Sequence, residues 1–384
     1  MQQFIQENLN IDLTRLVLSK SPFLNISSKE LAEQIAGKKT AEKKLPNWFK
    51  TPFVYYPPKL ALEQCSSEQT AAYKSRLLRG TTLVDLTGGM GVDTFAFARK
   101  AEQVIHIEKQ AQLSEITRHN AQTLSLKNIQ FVVSEAENWL KNNSGHWDTV
   151  YLDPSRRISG QKVFRLSDCE PNIVQLQEKI FEFSPYIIVK TAPLLDIKSG
   201  LTELKQVSEI HVISVNNEMK EVLWVLDKDF KGTEPTIHCI GLSNSEEQSF
   251  AFKLSEEKNY QIDQYAKIQE YLYEPDAAWL KAGCFKIITQ QYNVGKLHTH
   301  THLYTSDIVI NNFPGRKFKV NRVYSYKEFC KSEMPKLANI SCRNFPLNTT
   351  EIQAKHKIKD GGLQYLFFCT DEQNELIVVE THKV

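Results

Sequence analysis

Between Thr81 and Asp227 short apolar runs alternate with longer stretches in which apolar residues recur every three or four positions. The runs are TTLVDL, QVIHIE, NIQFVV, DTVYLD and YIIVK. Each is too short for a buried helix and rich in β-branched residues, so each predicts a strand, and the stretches between them predict helices. Strand, helix, strand in succession gives parallel pairing with helices on both faces of the sheet. Two further runs, EIHVISVNN and MKEVLWVLD, are separated only by a short turn and predict a terminal hairpin. The pattern predicts an α/β fold: five parallel strands, then a hairpin that puts one antiparallel strand into the sheet.

The flanks read differently. SSKELAEQIAG has Ser27 and Glu30 in capping-box spacing, Leu31 and Ile35 on one face, and Gly37 as an expected stop. KKTAEKKLPNWFKTPFVYYPPKL mixes basic and aromatic residues with prolines and predicts a connector lying on something else. After about residue 230 the alternation is lost. KIITQQYNVGKLHTHTHLYTSDIVINNFPGRKFKV predicts strands and turns of a small α+β unit, and YSYKEFCKSEMPKLA a helix within a last unit. The expected domains are a helical 1–65, an α/β 66–230, an α+β 231–310 and a final unit 311–384.

Composition narrows the class. The chain has 384 residues, 41% hydrophobic and 24% charged, an ordinary globular balance. No window approaches the ~18–20 apolar residues of a membrane span. MQQFIQENLNIDLTRLVLSK lacks the order of a secretion signal, and seven scattered cysteines without a C-x-x-C pair suit reduced thiols. A cytoplasmic protein without a zinc framework is expected.

The candidate chemistry begins at VDLTGGMGVDTFAFA. Gly88, Gly89 and Gly91 let a backbone approach a ligand where a Cβ would collide, or they simply make a tight turn. The acids choose the ligand. Asp85 closes the first strand and Asp93 begins the next helix, where carboxylates repel a pyrophosphate. No Gly-Lys-Ser/Thr follows, which excludes a P-loop. S-adenosylmethionine (SAM) carries a sulfonium and an ammonium, which acids favour. Three more acids stand at successive strand ends, where open α/β sheets place ligands. Glu108 suits a ribose diol, Glu135 the adenine amino group with Ala136 beside the ring, and Asp153 ends the fourth strand.

VDLTGGMGVD, Glu108, SEA and DPSRR together resemble the motifs of class I SAM-dependent methyltransferases, with Thr87 standing where their pattern has its first glycine. The resemblance implies a Rossmann-like seven-stranded SAM-methyltransferase sheet, mostly parallel with one antiparallel strand. EQCSSEQTAAYKS is similar to a segment preceding the glycine loop in a bacterial methyltransferase family, which implies Gln64, Ser67 and Thr70 near the cofactor; a helix cap is the alternative. In that family a ferredoxin-like unit and a THUMP-like domain follow. KLHTHTHLYTSD, FPGRKF, RNFPL and KIKDGGLQYLF resemble those parts, so 231–310 is expected to be ferredoxin-like and 311–384 THUMP-like.

Amino-directed nucleic-acid methyltransferases carry Asn/Asp/Ser-Pro-Pro-aromatic after the fourth strand. Asp153-Pro154 keeps the first half as the catalytic pair, with Asp153 holding the amine and taking its proton. Ser155-Arg156 replaces the rest. Arg156 and Arg157 clamp a phosphate or stack on a base, unless they are a surface pair, and Lys190 at the fifth strand end adds a third positive group. Neither DPSRR nor KTAPLL offers the cysteine that carbon-5 methylation of a pyrimidine needs.

From 311 to 359 eleven basic residues (Arg316, Lys317, Lys319, Arg322, Lys327, Lys331, Lys336, Arg343, Lys355, Lys357, Lys359) face Glu328, Glu333 and Glu351, an excess of 11 − 3 = 8. Phe318, Tyr324, Tyr326 and Phe329 are interleaved and offer base stacking, or else form core under a solvated lysine face. The THUMP resemblance implies tRNA or rRNA as partner. His298, His300 and His302 fall on one face of an extended strand; no metal is expected there. The expected function is RNA methylation by SAM, at a base nitrogen. Open beside it stand a methyltransferase for a protein or small molecule, and a non-catalytic RNA-binding factor on the same fold.

Overall fold

A computed structural model of the chain describes residues 1–156, 165–243, 246–333 and 335–384. By its contacts it divides into two compact units, residues 1–209 with 222–233, and residues 210–221 with 234–384. No helix among the described residues is long and apolar enough to cross a membrane.

In the first unit helices α1 (Gln2–Glu7), α2 (Leu13–Leu18), α3 (Ser28–Lys44), α4 (Pro46–Lys50), α5 (Lys59–Gln64) and α6 (Glu68–Ser75) precede the sheet. Ser27 caps α3 by accepting from the Glu30 N–H, as its spacing predicts. Gly37 does not stop the helix. It lies where α3 touches the connector, and a Cβ there would fall 2.4 Å from Tyr56 Cβ. Gln34 then clasps the connector, donating to Tyr56 O at 2.8 Å and accepting from Tyr56 N–H at 2.9 Å. Trp48 stacks on Phe95 with centroids 5.6 Å apart, so the helical segment shares its core with the sheet. Each such fully buried ring stabilises by roughly 1.5–3 kcal/mol.

The strands are β1 (Thr82–Asp85), β2 (Gln103–Glu108), β3 (Ile129–Val133), β4 (Thr149–Leu152), β5 (Tyr186–Thr191), β6 (Val207–Val215) and β7 (Glu218–Asp227), in the order β3-β2-β1-β4-β5-β7-β6. The first five pair in parallel, and β7 runs antiparallel to β5. The expected seven-strand order is present, but the sheet has nine strands, because two later strands continue it beyond β6. Helices α7 (Val92–Ala98), α8 (Ala111–Thr123), α9 (Ala136–Asn142), α10 (Ile173–Phe183) and α11 (Ile197–Glu203) make the crossovers.

The second unit takes the tip of the β6–β7 hairpin, residues 210–221. Strands β8 (Thr236–Leu242) and β9 (Glu247–Phe252) follow as an antiparallel pair. They come before the ferredoxin-like part and were not resolved by the sequence pattern. Asp276 accepts from Ser214 Oγ at 2.5 Å and caps α12 (Ala277–Ala282), which ties the tip into this unit. A seven-stranded sheet, β11-β12-β10-β13-β16-β15-β14, builds the rest from β10 (Tyr271–Pro275), β11 (Gly295–Lys296), β12 (Tyr304–Ser306), β13 (Gly315–Ser325), β14 (Asn339–Arg343), β15 (Gln364–Thr370) and β16 (Leu376–Lys383). Because β10 pairs with β13, the two expected C-terminal modules share one sheet. The helix expected from YSYKEFCKSEMPKLA is one turn, Tyr326–Phe329, since the Ser332 hydroxyl takes the Phe329 carbonyl directly after it.

Candidate active site

At the carboxyl end of β1 the chain turns through Thr87 to Gly91 into α7. Gly88 is pressed against the His106 ring, and a Cβ would meet it at 2.3 Å; Gly91 has φ 84 and would strike Thr117. Four of the loop's amides are consumed internally. Thr87 N–H donates to Asp85, Gly88 N–H to Ile107 O, Gly89 N–H to Glu108 and Gly91 N–H to Gly88 O. These four amides are therefore not available to cradle a phosphate. What the loop offers instead are carboxylates, which suit a cationic ligand.

Asp85 is 1% exposed and accepts from Thr87 N–H at 3.0 Å and Thr94 Oγ at 2.6 Å. Burial pushes its carboxyl up to about 7, with those hydrogen bonds opposing. Glu108, at the end of β2, accepts from Gly89 N–H at 3.0 Å and Gln110 N–H at 2.8 Å, so its carboxylate is fixed in place against the loop. Glu135 is the N-cap residue of α9, is exposed, and accepts from Asn138 at 2.9 Å; Ala136 behind it is buried.

Asp153 follows β4. Its N–H donates to Thr87 Oγ at 2.6 Å, and its Oδ2 lies 2.5 Å from Lys190 Nζ, which comes from the neighbouring β5. Lys190 is only 8% exposed. The lysine expected as a third positive group at the rim is thus drawn inward onto the Asp153 carboxylate, because the two strand ends are adjacent. Ser155 and Arg156 pair with Cys169 and Glu170 in a two-stranded ribbon beyond Pro154. The Arg156 side chain and all of Arg157 lie outside the described residues.

Asp93 does not weigh on the ligand as its sequence position suggested. It accepts from Ser66 and Tyr151 hydroxyls at 2.8 Å each and pairs with Lys74 Nζ at 3.1 Å. Burial alone would raise this carboxyl, but the Lys74 and Lys190 ammonium groups and the two hydroxyls outweigh it and hold it below its usual range. Ser67 caps α6, accepting from Thr70 N–H at 3.2 Å; Thr70 is buried, and Gln64 ends α5 exposed. The sequence reading missed Ser66, Lys74, Tyr151 and His106. His106 reads as one more residue of an alternating strand; its Nε2 lies 3.2 Å from Gly89 O, and burial pushes its pKa down to about 4, so it is neutral. An imidazole directly under a glycine loop was the available signal.

In the second unit the eleven cations divide. Arg316 and Arg343 both bind buried Glu274, at 2.6 Å, Lys317 and Lys319 are half-buried, and Arg322, Lys327, Lys331, Lys336, Lys355, Lys357 and Lys359 are exposed. Phe318 and Phe329 are core, 0% and 2% exposed, and do not stack bases; Tyr324 and Tyr326 are half-buried. The three histidines do not share a strand face. Their segment bends around buried Lys296, whose ammonium donates to the carbonyls of His298, Thr299 and Thr301. His298 meets Asn344 and Asn374, whereas His302 stacks on Phe285 with centroids 3.7 Å apart.

The fold and the acid-lined loop define a class I methyltransferase. Three family models match the chain: conserved hypothetical protein 95 over residues 69–205, a ferredoxin-like domain over 271–314 and a THUMP domain-like model over 315–383. A protein of Porphyromonas gingivalis W83 designated a methyltransferase has a crystal structure similar to this one. It is 32% identical with a TM-score of 0.88, covering 100% of this chain and 97% of its own. The chain belongs to the family of class I SAM-dependent methyltransferases that carry ferredoxin-like and THUMP-like domains. An uncharacterized RNA methyltransferase of Thermotoga maritima is 31% identical over 133 residues, 32% of this chain and 30% of its own length. An uncharacterized SAM-dependent methyltransferase of Mycobacterium tuberculosis is 25% identical over 165 residues, 43% of this chain and 44% of its own. The chain spans less than half the length of these curated relatives.

Proposed function

We propose that this chain transfers the methyl group of SAM to RNA, at a base nitrogen held by Asp153 and Pro154. The observation that carries it is the Asp153 N–H on Thr87 Oγ at 2.6 Å, which ties the Asp153 backbone to the cofactor loop. When bound, the cofactor supplies an electrophilic methyl on its sulfonium. Asp85 meets the cofactor's positive groups through the loop, Glu108 takes the ribose diol on its remaining lone pairs, and Glu135 with Ala136 borders the adenine. Gln64, Ser67 and Thr70 belong to the same side of the site. Lys190 occupies Asp153 Oδ2 and leaves Oδ1 to accept from the acceptor amine and receive its proton. Arg156 and Arg157 engage the RNA beside it.

RNA as acceptor is supported by the THUMP-like part, by the named function of the Thermotoga relative, and by the seven exposed cations of residues 322–359. Residues 66–230 serve as the catalytic domain and 311–384 as the RNA-presenting one. The seven cysteines form no disulfide among the described residues, which suits a reducing cytoplasm. The test is transfer of labelled methyl from SAM to total RNA of a strain lacking this gene, separated into tRNA and rRNA, with protein extract in parallel. Label in one RNA fraction is expected; label only in protein contradicts the reading.

A further inference from the structure

We infer that Lys190 and Thr87 are positioning residues for Asp153, fixing its carboxylate and its backbone respectively; this rests on the proposed role of Asp153. By sequence, Lys190 reads as a third positive group at the acceptor rim and Thr87 as a substitute for a loop glycine. The geometry gives both another task.

Lys190 is 8% exposed and its ammonium is 2.5 Å from Asp153 Oδ2. A cation so far withdrawn from solvent is stable there only with its carboxylates, and it fixes them in return. Its charge also helps hold down the carboxyl of Asp93 in α7, which Ser66, Lys74 and Tyr151 bind. Thr87 adds what glycine lacks. Its hydroxyl accepts the Asp153 N–H at 2.6 Å and lies 3.5 Å from Asp85 Oδ1, which links acceptor loop to cofactor loop through one side chain. A carboxylate tied at both its backbone and one oxygen presents the other oxygen in a fixed direction, and methyl transfer depends on such alignment.

The test measures single-turnover transfer, RNA KM and SAM Kd of the full chain with total RNA from the gene-lacking strain. The variants are K190M, K190R, T87V, T87S, D153A and the double D153A/K190M. K190M is expected to lower the rate constant about a hundredfold, with KM and Kd within about threefold of wild type, the cost of a misplaced group. K190R recovers at least tenfold of that, T87V loses about tenfold and T87S nothing, and the double variant is no slower than D153A. In crystals of K190M with S-adenosylhomocysteine, Asp153 turns from its wild-type position. A K190M enzyme with raised KM and an intact rate constant makes Lys190 a phosphate clamp and overturns the proposal, as does an unmoved Asp153. Full transfer by D153A defeats the proposed function itself, a separate result.

Discussion

Lys190 in the first unit and Lys296 in the second are both buried, 8% and 2% exposed, and their partners set them apart. Lys190 meets the carboxylate of Asp153, a group still partly open to solvent, at the carboxyl ends of two parallel strands. Lys296 meets three main-chain carbonyls of a bend, and burial pushes its pKa down to about 8. An ammonium among carbonyls closes a loop and is spent on structure. One paired with a carboxylate beside a ligand loop orients, on the proposed function, a group that reacts. The difference separates a buried charge that folds the chain from one that equips a site.

Four variants sharpen that contrast, beginning with the largest effect. Gly88→Val puts a side chain where the His106 ring already lies 2.3 Å from a Cβ, so SAM affinity falls at least a hundredfold by calorimetry, far beyond any stability loss. Next is a pH effect. Asp85 is raised from 3.8 to about 7, so its stabilisation of the empty protein is complete below 3.8 and is lost as pH rises through about 7. Binding a cation has the opposite preference. SAM Kd therefore rises up to about tenfold per unit as pH falls below 7 and is level above it, and Asp85→Asn flattens the curve. If the dependence persists in Asp85→Asn, another group is responsible. Third, Lys296→Met leaves buried carbonyls unpaired and costs about 1–3 kcal/mol of stability by denaturant unfolding, with SAM Kd unchanged. A change in SAM Kd would erase the contrast between the two lysines. The smallest effect is Lys355→Ala, which lowers RNA affinity a few-fold and reduces the slope of log affinity against log salt by about 0.7. An unchanged slope removes Lys355 from the RNA surface.

The sheet was legible because strand runs and spaced helices have distinct periods, and the acids were legible because each closes such a run. Asp85, Glu108 and Asp153 accordingly stand where the pattern put them. Partners were not legible, since they come from adjacency across strands. Lys190 shows its charge in the sequence, but its contact with Asp153 exists only because β4 and β5 are neighbours. Asp93 likewise reads as a charge at a helix start, while Lys74 and Tyr151, which neutralise and bind it, lie 19 and 58 positions away. Gly37 was read as a stop because a glycine's local signal is a turn. Its actual cause, room for Tyr56, is nonlocal. The histidine row fails as a strand for a similar reason: one buried lysine gathers its carbonyls.

The central claim is that one carboxylate serves the transfer and the loop beside it serves the cofactor. The direct measurement is SAM Kd and single-turnover methyl transfer for Asp153→Ala against wild type, on the RNA fraction that accepts label. The account predicts a rate lower by about a thousandfold with Kd within about threefold, the pattern of a group that acts on the acceptor alone. Equal losses in both quantities would make Asp153 part of the cofactor site and contradict it.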